Sequence, residues 1–380
     1  MKIAVVCYPT FGGSGVVATE LGIAMAKKGH EVHFITYKQP VRLDMLVDNI
    51  HFHEVVVPEY PLFQYQPYEL ALSSKLVSTI KKYEIDVLHV HYAIPHAYAG
   101  YMAQQMLLQE GIEIPMVTTL HGTDITLVGN HPHYKPAVTF SINQSNAVTS
   151  VSESLKQDTI RLFDIDANKI QVVPNFIDSE KATQNEVTEC QRGMMAAPHE
   201  KIVTHISNFR PVKRINDVIN IFNGIQKEIP AKLIMVGDGP MQQEAKDLCK
   251  SLNIKDRVIF MGNSNEIHKI LCFSDLFLLP SESESFGLAA LEAMVHGVPV
   301  ISSNSGGIPE VNAHGFSGFL SEVGNVDDMV KNAIKILSDD VTLSSFKANS
   351  KKQAANFDIN KIVPIYEDIY KNVQHKSVFV

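Results

Sequence analysis

The sequence predicts an α/β protein made of two doubly wound domains that face each other across a cleft. Strand-like and helix-like stretches alternate along nearly the whole chain, the order that builds parallel sheets with helices on both faces. The alternation stops in a polar stretch of poor periodicity at 179–200 and then starts again. A chain of 380 residues is also long enough for two domains that each bury a core.

The first series opens with a short apolar run at 3–7, too short for the apolar core of a signal peptide and suited to a strand buried on both faces. A helix at 15–28 follows, closed by Gly29 as a left-handed stop. Strand 32–36, helix 68–83, strand 87–91, helix 97–110 and strand 116–121 continue the alternation. Short strands at 147–151 and 170–173 flank a helix at 153–163. A hinge falls near 174–178.

The second series runs strand 202–207, helix 215–226, strand 231–236, helix 242–252, strand 258–261, helix 266–273 and strand 276–279. The segment SESESFGLAALEAMVHGVPVISS, 281–303, then reads loop, helix, strand, with Ser285 as N-cap and Gly297 as the stop. A last helix at 359–372 has no strand after it and is expected to cross back onto the first domain. The domains are therefore 1–173 with the C-terminal helix at about 359–380, and 174–358.

Composition excludes several function classes. The apolar fraction of 45% and charged fraction of 19% are those of an ordinary globular protein. A net charge of −8 argues against a nucleic-acid or membrane-surface binder, so an anionic ligand has to meet a local basic spot. No run approaches the ~18 apolar residues of a membrane span. Cys7, Cys190, Cys249 and Cys272 are scattered without a CxxC pair, as in a reduced, cytoplasmic protein.

One residue sits oddly in its pattern. Glu292 has Leu288, Ala289, Val295 and His296 as its helical neighbours, a mostly apolar face. A carboxylate there needs a donor, from a ligand or from a nearby Lys or Arg, because burying it unpaired costs several kcal/mol, in order of magnitude. A glycine-rich loop and a basic loop raise the same question. Gly13-Ser14-Gly15-Val16-Val17-Ala18 formally matches the GxGxxA dinucleotide pattern. Five residues separate it from the strand, however, and the second strand ends Ile35-Thr36-Tyr37-Lys38 with no acid to hold a ribose. What remains is either an anion site at a helix N-terminus or a loop that needs glycine for backbone freedom. Arg210, Lys213 and Arg214 follow the first strand of the second domain, where they suit a phosphate or form a solvated basic loop. Gly237 opens one further glycine turn, and Asn304–Val311 holds another. His89 and His91, at i and i+2, point to one side of a strand, and burial with hydrogen bonds suits them better than metal ligation.

Taken in order, these pieces resemble the retaining GT-B glycosyltransferases of family four, which use nucleotide sugars and have two Rossmann-like domains. The carriers are Gly12-Gly13-Ser14-Gly15, His121-Gly122-Thr123-Asp124, Val173 through Asp178, Lys213, Gly237-Asp238-Gly239-Pro240, the pair Glu284 and Glu292 as E-x7-E, and Gly306-Gly307-Ile308-Pro309-Glu310. The stretches HVHYAIPHA and HGTDITLVG are similar to a narrower group, the N-acetyl-α-D-glucosaminyl L-malate synthases of bacillithiol biosynthesis. The family's usual arginine five residues before the lysine is Asn208 here, with Arg210 the nearest cation.

The resemblance implies transfer of GlcNAc from UDP-GlcNAc to the hydroxyl of L-malate with retention. Lys213 and Arg210 would stabilise the leaving diphosphate, Glu284 and His121 would contact the donor sugar, and Glu292 would accept hydrogen bonds from the ribose. Donor contacts would also come from Gly13, Ser14, Gly15, Asn208, Gly237, Asn263, Ser285, Phe286, Gly287 and Leu288. Malate, a dicarboxylate, needs cations and hydroxyls in the first domain, and the candidates are Ser14, Arg42, Tyr92, Thr119 and Lys135. The resemblance implies no required metal or other cofactor. Neither a nucleic-acid partner nor a membrane anchor is expected, and a homo-oligomer stays open. A transferase with an inositol phosphate or lipid-linked sugar as acceptor is the alternative within the family. A nicotinamide-dependent oxidoreductase rests on GxGxxA alone, and a non-catalytic sugar-nucleotide sensor would carry the same binding motifs.

Overall fold

The computed structural model describes residues 1–10, 12–184, 192–264 and 266–377. Cys190 and the middle of the polar stretch lie outside them. The chain divides into two compact units, Met1–Asn175 with Ile359–Val380, and Phe176–Asp358. The second unit begins and ends at one place: Ile177 bridges to Asp358, and its N–H donates to the Phe357 carbonyl at 3.0 Å.

The first unit holds a seven-stranded sheet. Its strands are β1 (Lys2–Val6), β2 (Glu31–Thr36), β3 (Ile50–Glu54), β4 (Val87–His91), β5 (Met116–Leu120), β6 (Ala147–Ser150) and β7 (Ile170–Val172). The order is β3-β2-β1-β4-β5-β6-β7, parallel throughout. β1 is an apolar run buried from Ile3 onward, and β4 is buried along its length although it carries His89 and His91, because helices cover both faces. The helix Ile359–Ser377 packs here, burying Ile362, Val363, Tyr366, Ile369, Tyr370 and Val373. Tyr370 Oη lies 2.7 Å from His89 Nδ1, and Lys28 donates to Glu367 at 2.6 Å.

The second unit holds β8 (Lys201–Ile206), β9 (Ala231–Val236), β10 (Val258–Gly262), β11 (Leu276–Leu279), β12 (Val300–Ser303) and β13 (Gly318–Ser321). They form a parallel sheet in the order β10-β9-β8-β11-β12-β13. Its main core joins Val203, Leu233, Leu276 and Ile301 of the strands to Ile219, Phe222 and Ile225 of the helix Ile215–Glu228, and to Met329, Ala333 and Ile336. Each of these buried side chains larger than alanine contributes about 1.5–3 kcal/mol.

Several elements depart from the sequence reading. The helix expected to start after Ser285 runs Leu288–Val295, because Gly287 takes a left-handed φ of 98° and becomes the residue at which the helix begins. Strand β3 and the helices Lys135–Gln144, Val326–Leu337 and Asp340–Ala354 were not anticipated, nor was β13. Among the described residues no helix is long and apolar enough to cross a membrane. Cys7, Cys249 and Cys272 are free thiols.

Candidate active site

In each sheet the strand order reverses once, between β1 and β4 and again between β8 and β11. Loops leaving the carboxyl ends of those paired strands turn to opposite sides, so each reversal leaves a crevice where ligands of doubly wound sheets bind. Both crevices in this protein are spanned by one side-chain hydrogen bond.

In the first unit that bond joins Ser14, in the glycine-rich turn opening the helix Gly13–Lys27, to Tyr92, the residue after β4; Oγ and Oη are 2.6 Å apart. Tyr92 has a φ of 86° yet still donates its N–H to the Thr119 carbonyl at 2.8 Å, which turns its side chain out of the β4 pleat. Tyr8 stands edge-on to it, with ring centroids 5.2 Å apart, and the His121 ring lies 5.0 Å away.

His121 is held from two sides. Its Nε2 lies 2.8 Å from Nδ1 of His91, one nitrogen donating to the other, and its backbone N–H donates to Asp124 at 3.2 Å. The Asp124 carboxylate also accepts the N–H of Gly122 at 3.0 Å and of Ala93 at 2.9 Å. It therefore ties the loop after β5 to the loop after β4. Burial pushes the Asp124 carboxyl up to about 6 despite these three donors. Burial also pushes His121 down to about 3 and His91 well below the usual histidine value, so both imidazoles are neutral near pH 7. His96 Nδ1 donates to the His91 carbonyl at 2.5 Å and completes the support.

The other first-unit candidates are placed differently. Thr119 is buried inside the sheet, its hydroxyl 2.8 Å from His89 Nε2 and 2.7 Å from Thr149 Oγ1, so it braces the interior under the C-terminal helix and does not join Ser14 and Tyr92. Lys135 starts the helix Lys135–Gln144 and holds its ammonium over the Phe163 ring at 5.9 Å. Arg42 lies in the segment after β2, at a left-handed φ of 67°.

In the second unit the crossing bond is an ion pair. Lys213, at the end of the short turn Pro211–Lys213 after β8, lies 2.5 Å from Glu284 in the loop after β11. Ser281 Oγ donates to the same carboxylate oxygen at 3.0 Å, and the Glu282 N–H donates to the Val212 carbonyl at 2.8 Å. The three cations of the basic loop thus part company. Arg214 turns back to Asp217 at 2.5 Å, Lys213 meets Glu284, and Arg210 is exposed at the head of the turn beside exposed Asn208.

The glycines around this pair are packing requirements. A Cβ on Gly306, whose φ is 58°, would lie 2.1 Å from the Glu284 carbonyl oxygen, and the N–H of Gly307 donates to that same oxygen at 2.8 Å. A Cβ on Gly237 would lie 1.8 Å from the Ser207 carbonyl oxygen, so the turn after β9 presses on the loop after β8. Ser285, Phe286, Gly287 and Leu288 lead from Glu284 into the helix Leu288–Val295, whose first N–H groups lack helical partners. Phe286 is buried, while Ser285 and Leu288 are half-buried. Glu292 sits one turn into that helix and is only 8% exposed. Asn263 follows β10 at the sheet edge, two strands from β8, and is exposed.

The structure therefore joins Ser14, Tyr92 and His121 in one unit, and Lys213, Glu284 and the 285–288 backbone in the other. It adds His91, buried and hydrogen-bonded as the sequence reading expects, and Asp124, to which that reading gives no role, as supports of His121. Asp124 had a readable signal, an acid two residues after a glycine at a strand end; the His91–His121 contact requires the β4–β5 register, which pairs His91 with Thr119.

Comparison with known proteins bears on the whole chain. The model for Glycosyltransferase Family 4 matches residues 11–181, and that for Glycosyl transferases group 1 matches residues 193–353. The chain is 47% identical over 375 residues to N-acetyl-alpha-D-glucosaminyl L-malate synthase of Bacillus anthracis, covering 98% of this chain and 97% of that one. It is 25% identical over 388 residues to 2-deoxystreptamine N-acetyl-D-glucosaminyltransferase of Niallia circulans, covering 95% and 98%. Among solved structures, Anabaena HepE in complex with UDP and glucose superposes with a TM-score of 0.81 at 21% identity, over 98% of this chain and 100% of that one. A shared GT-B fold, family models over both halves and a near full-length relative at 47% identity agree: the chain belongs to glycosyltransferase family four, enzymes that transfer a sugar from a nucleotide sugar.

Proposed function

We propose that the protein transfers GlcNAc from UDP-GlcNAc to the hydroxyl of L-malate with retention, forming GlcNAc-malate and UDP, the first step of bacillithiol biosynthesis. The observation that carries this reading is the 47% identity, along almost the whole chain, to a protein named for that product. The site chemistry agrees with it. The hydroxyl oxygen of malate attacks the anomeric carbon, the bond from that carbon to the β-phosphate oxygen breaks, and the hydroxyl proton passes to a phosphate oxygen on the same face. Negative charge grows on the leaving diphosphate, and Lys213 stabilises it, with Arg210 as the second cation. Glu284 fixes the ammonium of Lys213 and faces the sugar, and no carboxylate acts as nucleophile, unlike a retaining glycosidase.

The backbone N–H groups of 285–288 bind the diphosphate, and Glu292 accepts hydrogen bonds from the ribose. His121, neutral and held by His91, offers the donor sugar a fixed imidazole edge. Ser14 and Tyr92 present hydroxyls to malate, with Arg42 as the cation for one carboxylate. The test is incubation with UDP-GlcNAc and a panel of L-malate, other hydroxy acids, an inositol phosphate and an aminocyclitol, with products read by mass. GlcNAc-malate as the dominant product supports the reading. Preference for a polyol or aminocyclitol would replace the acceptor, and absence of any UDP release would remove the activity.

A further inference from the structure

We propose that Glu31, His33 and His51 bind one divalent transition-metal cation of the zinc class on the outer edge of the first unit's sheet. This stands independently of the acceptor and of the transfer reaction. Strand geometry creates the cluster. β2 and β3 are parallel, with His33 opposite His51 and Ile35 opposite His53, and period-two alternation puts Glu31 and His33 on one face together with His51 and His53.

Glu31 Oε1 lies 3.2 Å from His33 Nε2 and 3.2 Å from His51 Nε2, and one donor atom from each of the three residues lies within 4.8 Å of the others. Ligands at about 2.1 Å around a tetrahedral ion are about 3.4 Å apart, so both carboxylate–imidazole edges already fit, while the stacked rings of His33 and His51, with centroids 4.6 Å apart and planes 20° apart, have to turn so that both nitrogens face one ion. Half-exposed His51 can make that adjustment, whereas His33 is fully buried and fixed.

The surroundings are those of a ligand shell. His33 Nδ1 lies 2.9 Å from His53 Nε2, and Tyr83 packs on the rings of His33, His51 and His53 with centroids 4.7, 6.2 and 5.0 Å away. When the cation takes Nε2 of His33, the ring proton sits on Nδ1 and is donated to His53, the outer-shell bond that orients metal-bound histidines. Lys75 and Lys82 act on His53, outside the ligand set, and Glu31 supplies the compensating negative charge. Two imidazoles and one carboxylate, with neither a thiolate nor a set of oxygens, favour zinc, cobalt or nickel over copper(I), calcium or magnesium. A bound ion would clamp β3, the sheet's edge strand, to β2 and leave a fourth position for water.

The experiment uses the full chain after chelator treatment. Zinc is titrated in competition with a chromogenic chelator, and cobalt(II) is added in parallel to read its visible ligand-field bands. One equivalent is expected per chain, with the intense bands of a four-coordinate site and a rise in melting temperature. His51→Ala and Glu31→Gln should each weaken zinc at least ~10-fold and abolish the bands, and His53→Ala should weaken it by roughly 10-fold through the outer shell. His131→Ala combined with His133→Ala, which removes an exposed histidine pair elsewhere in the unit, should change nothing. Retention of the equivalent and its bands by His51→Ala would overturn the proposal. So would loss that follows His131 and His133, or no equivalent bound by the wild-type chain. His51 is exposed enough for its substitution to leave the fold intact, and an unchanged melting temperature without zinc checks this.

Discussion

Replacing Lys213 by alanine separates what this side chain does for folding from what it does for transfer. Its ammonium and the Glu284 carboxylate are 2.5 Å apart, with side chains 20% and 15% exposed, so the pair lies between the surface and the interior. Exposed ion pairs contribute about 0–1 kcal/mol and breaking a buried one costs about 3–5 kcal/mol. The expected loss of stability is therefore about 1–3 kcal/mol, and Ser281 keeps one bond to the stranded carboxylate. Charge stabilisation at the leaving group is a larger quantity. Removing one preorganised donor costs about 10²–10³ in kcat, or about 2.7–4 kcal/mol. The assay is steady-state release of UDP beside a denaturant melt for Lys213→Ala, Glu284→Ala and the double variant.

Because the two residues touch, the stability losses should not add, and the double variant should be less unstable than the sum of the single variants. Turnover should behave otherwise: removing Glu284 as well cannot restore a missing positive charge. Lys213→Ala is expected to lose at least ~10²-fold in kcat with a smaller change in donor KM. Normal turnover in Lys213→Ala, or recovery of turnover in the double variant, would refute the assignment and leave the pair as a fastener between two loops.

Glu292→Gln keeps the shape and removes the charge; a lost hydrogen bond to a charged group is about 1.5–3 kcal/mol, so KM for UDP-GlcNAc should rise roughly 10- to 100-fold, and unchanged donor kinetics would exclude the ribose role. Gly306→Ala adds a Cβ 2.1 Å from the Glu284 carbonyl at a φ of 58°, so a stability loss of about 1–3 kcal/mol and a weakened donor site should appear together in a thermal melt and in KM. Acid should unfold the first unit early. His89 at about 3, His96 at about 4, His121 at about 3 and His91 well below the usual value are all held neutral by burial, so the unfolded chain takes up protons that the folded one refuses. Their contribution is complete above the ordinary value of 6.5 and falls with pH below it, by up to about 1.4 kcal/mol per pH unit for each group. Asp124, raised to about 6 by burial, works in the opposite sense between about 6 and its unfolded value of 3.8 and offsets one of the four. Denaturant midpoints that stay flat from pH 7 to pH 5 would contradict this.

How far the molecule could be read from its residues depends on the kind of signal each part carries. Buried parallel strands such as β11, and β1 beyond Lys2, are apolar runs, and the second-unit loops stand out because Gly306 and Gly237 sit where a side chain would strike backbone. β3 carries a readable signal, since Ile-His-Phe-His-Glu alternates apolar and polar residues at the period of a half-buried strand, here at the sheet edge, but the run is short and has no apolar core to mark it. The helix Val326–Leu337 was legible and overlooked: Asn325 caps it by accepting the Asp328 N–H at 3.2 Å, and Met329, Ala333, Ile336 and Leu337 keep one face buried.

The acceptor side was hidden for a different reason. Thr119 stands at a strand end and reads as a surface hydroxyl, yet its partners are His89 and Thr149 on neighbouring strands, and beneath them lies a helix more than two hundred residues further on. Which face of a buried strand a polar side chain takes follows from pleat and register; whether that face meets a ligand or another helix follows from topology. The same logic explains why polar residues are plentiful inside this sheet. Four neutral histidines, two threonines and two tyrosines beneath the β4–β5 loops cost more to bury than leucines would, and each hydrogen bond among them is worth only about 1 kcal/mol net. What such a network supplies is position: with His91 behind it and Asp124 holding its backbone, His121 has one orientation toward the crevice. His91→Leu would therefore be expected to lower kcat more than stability, whereas His91→Asn, which can still hydrogen-bond to His121, should recover part of the loss; a variant pair equal in turnover would mean that packing alone holds the ring.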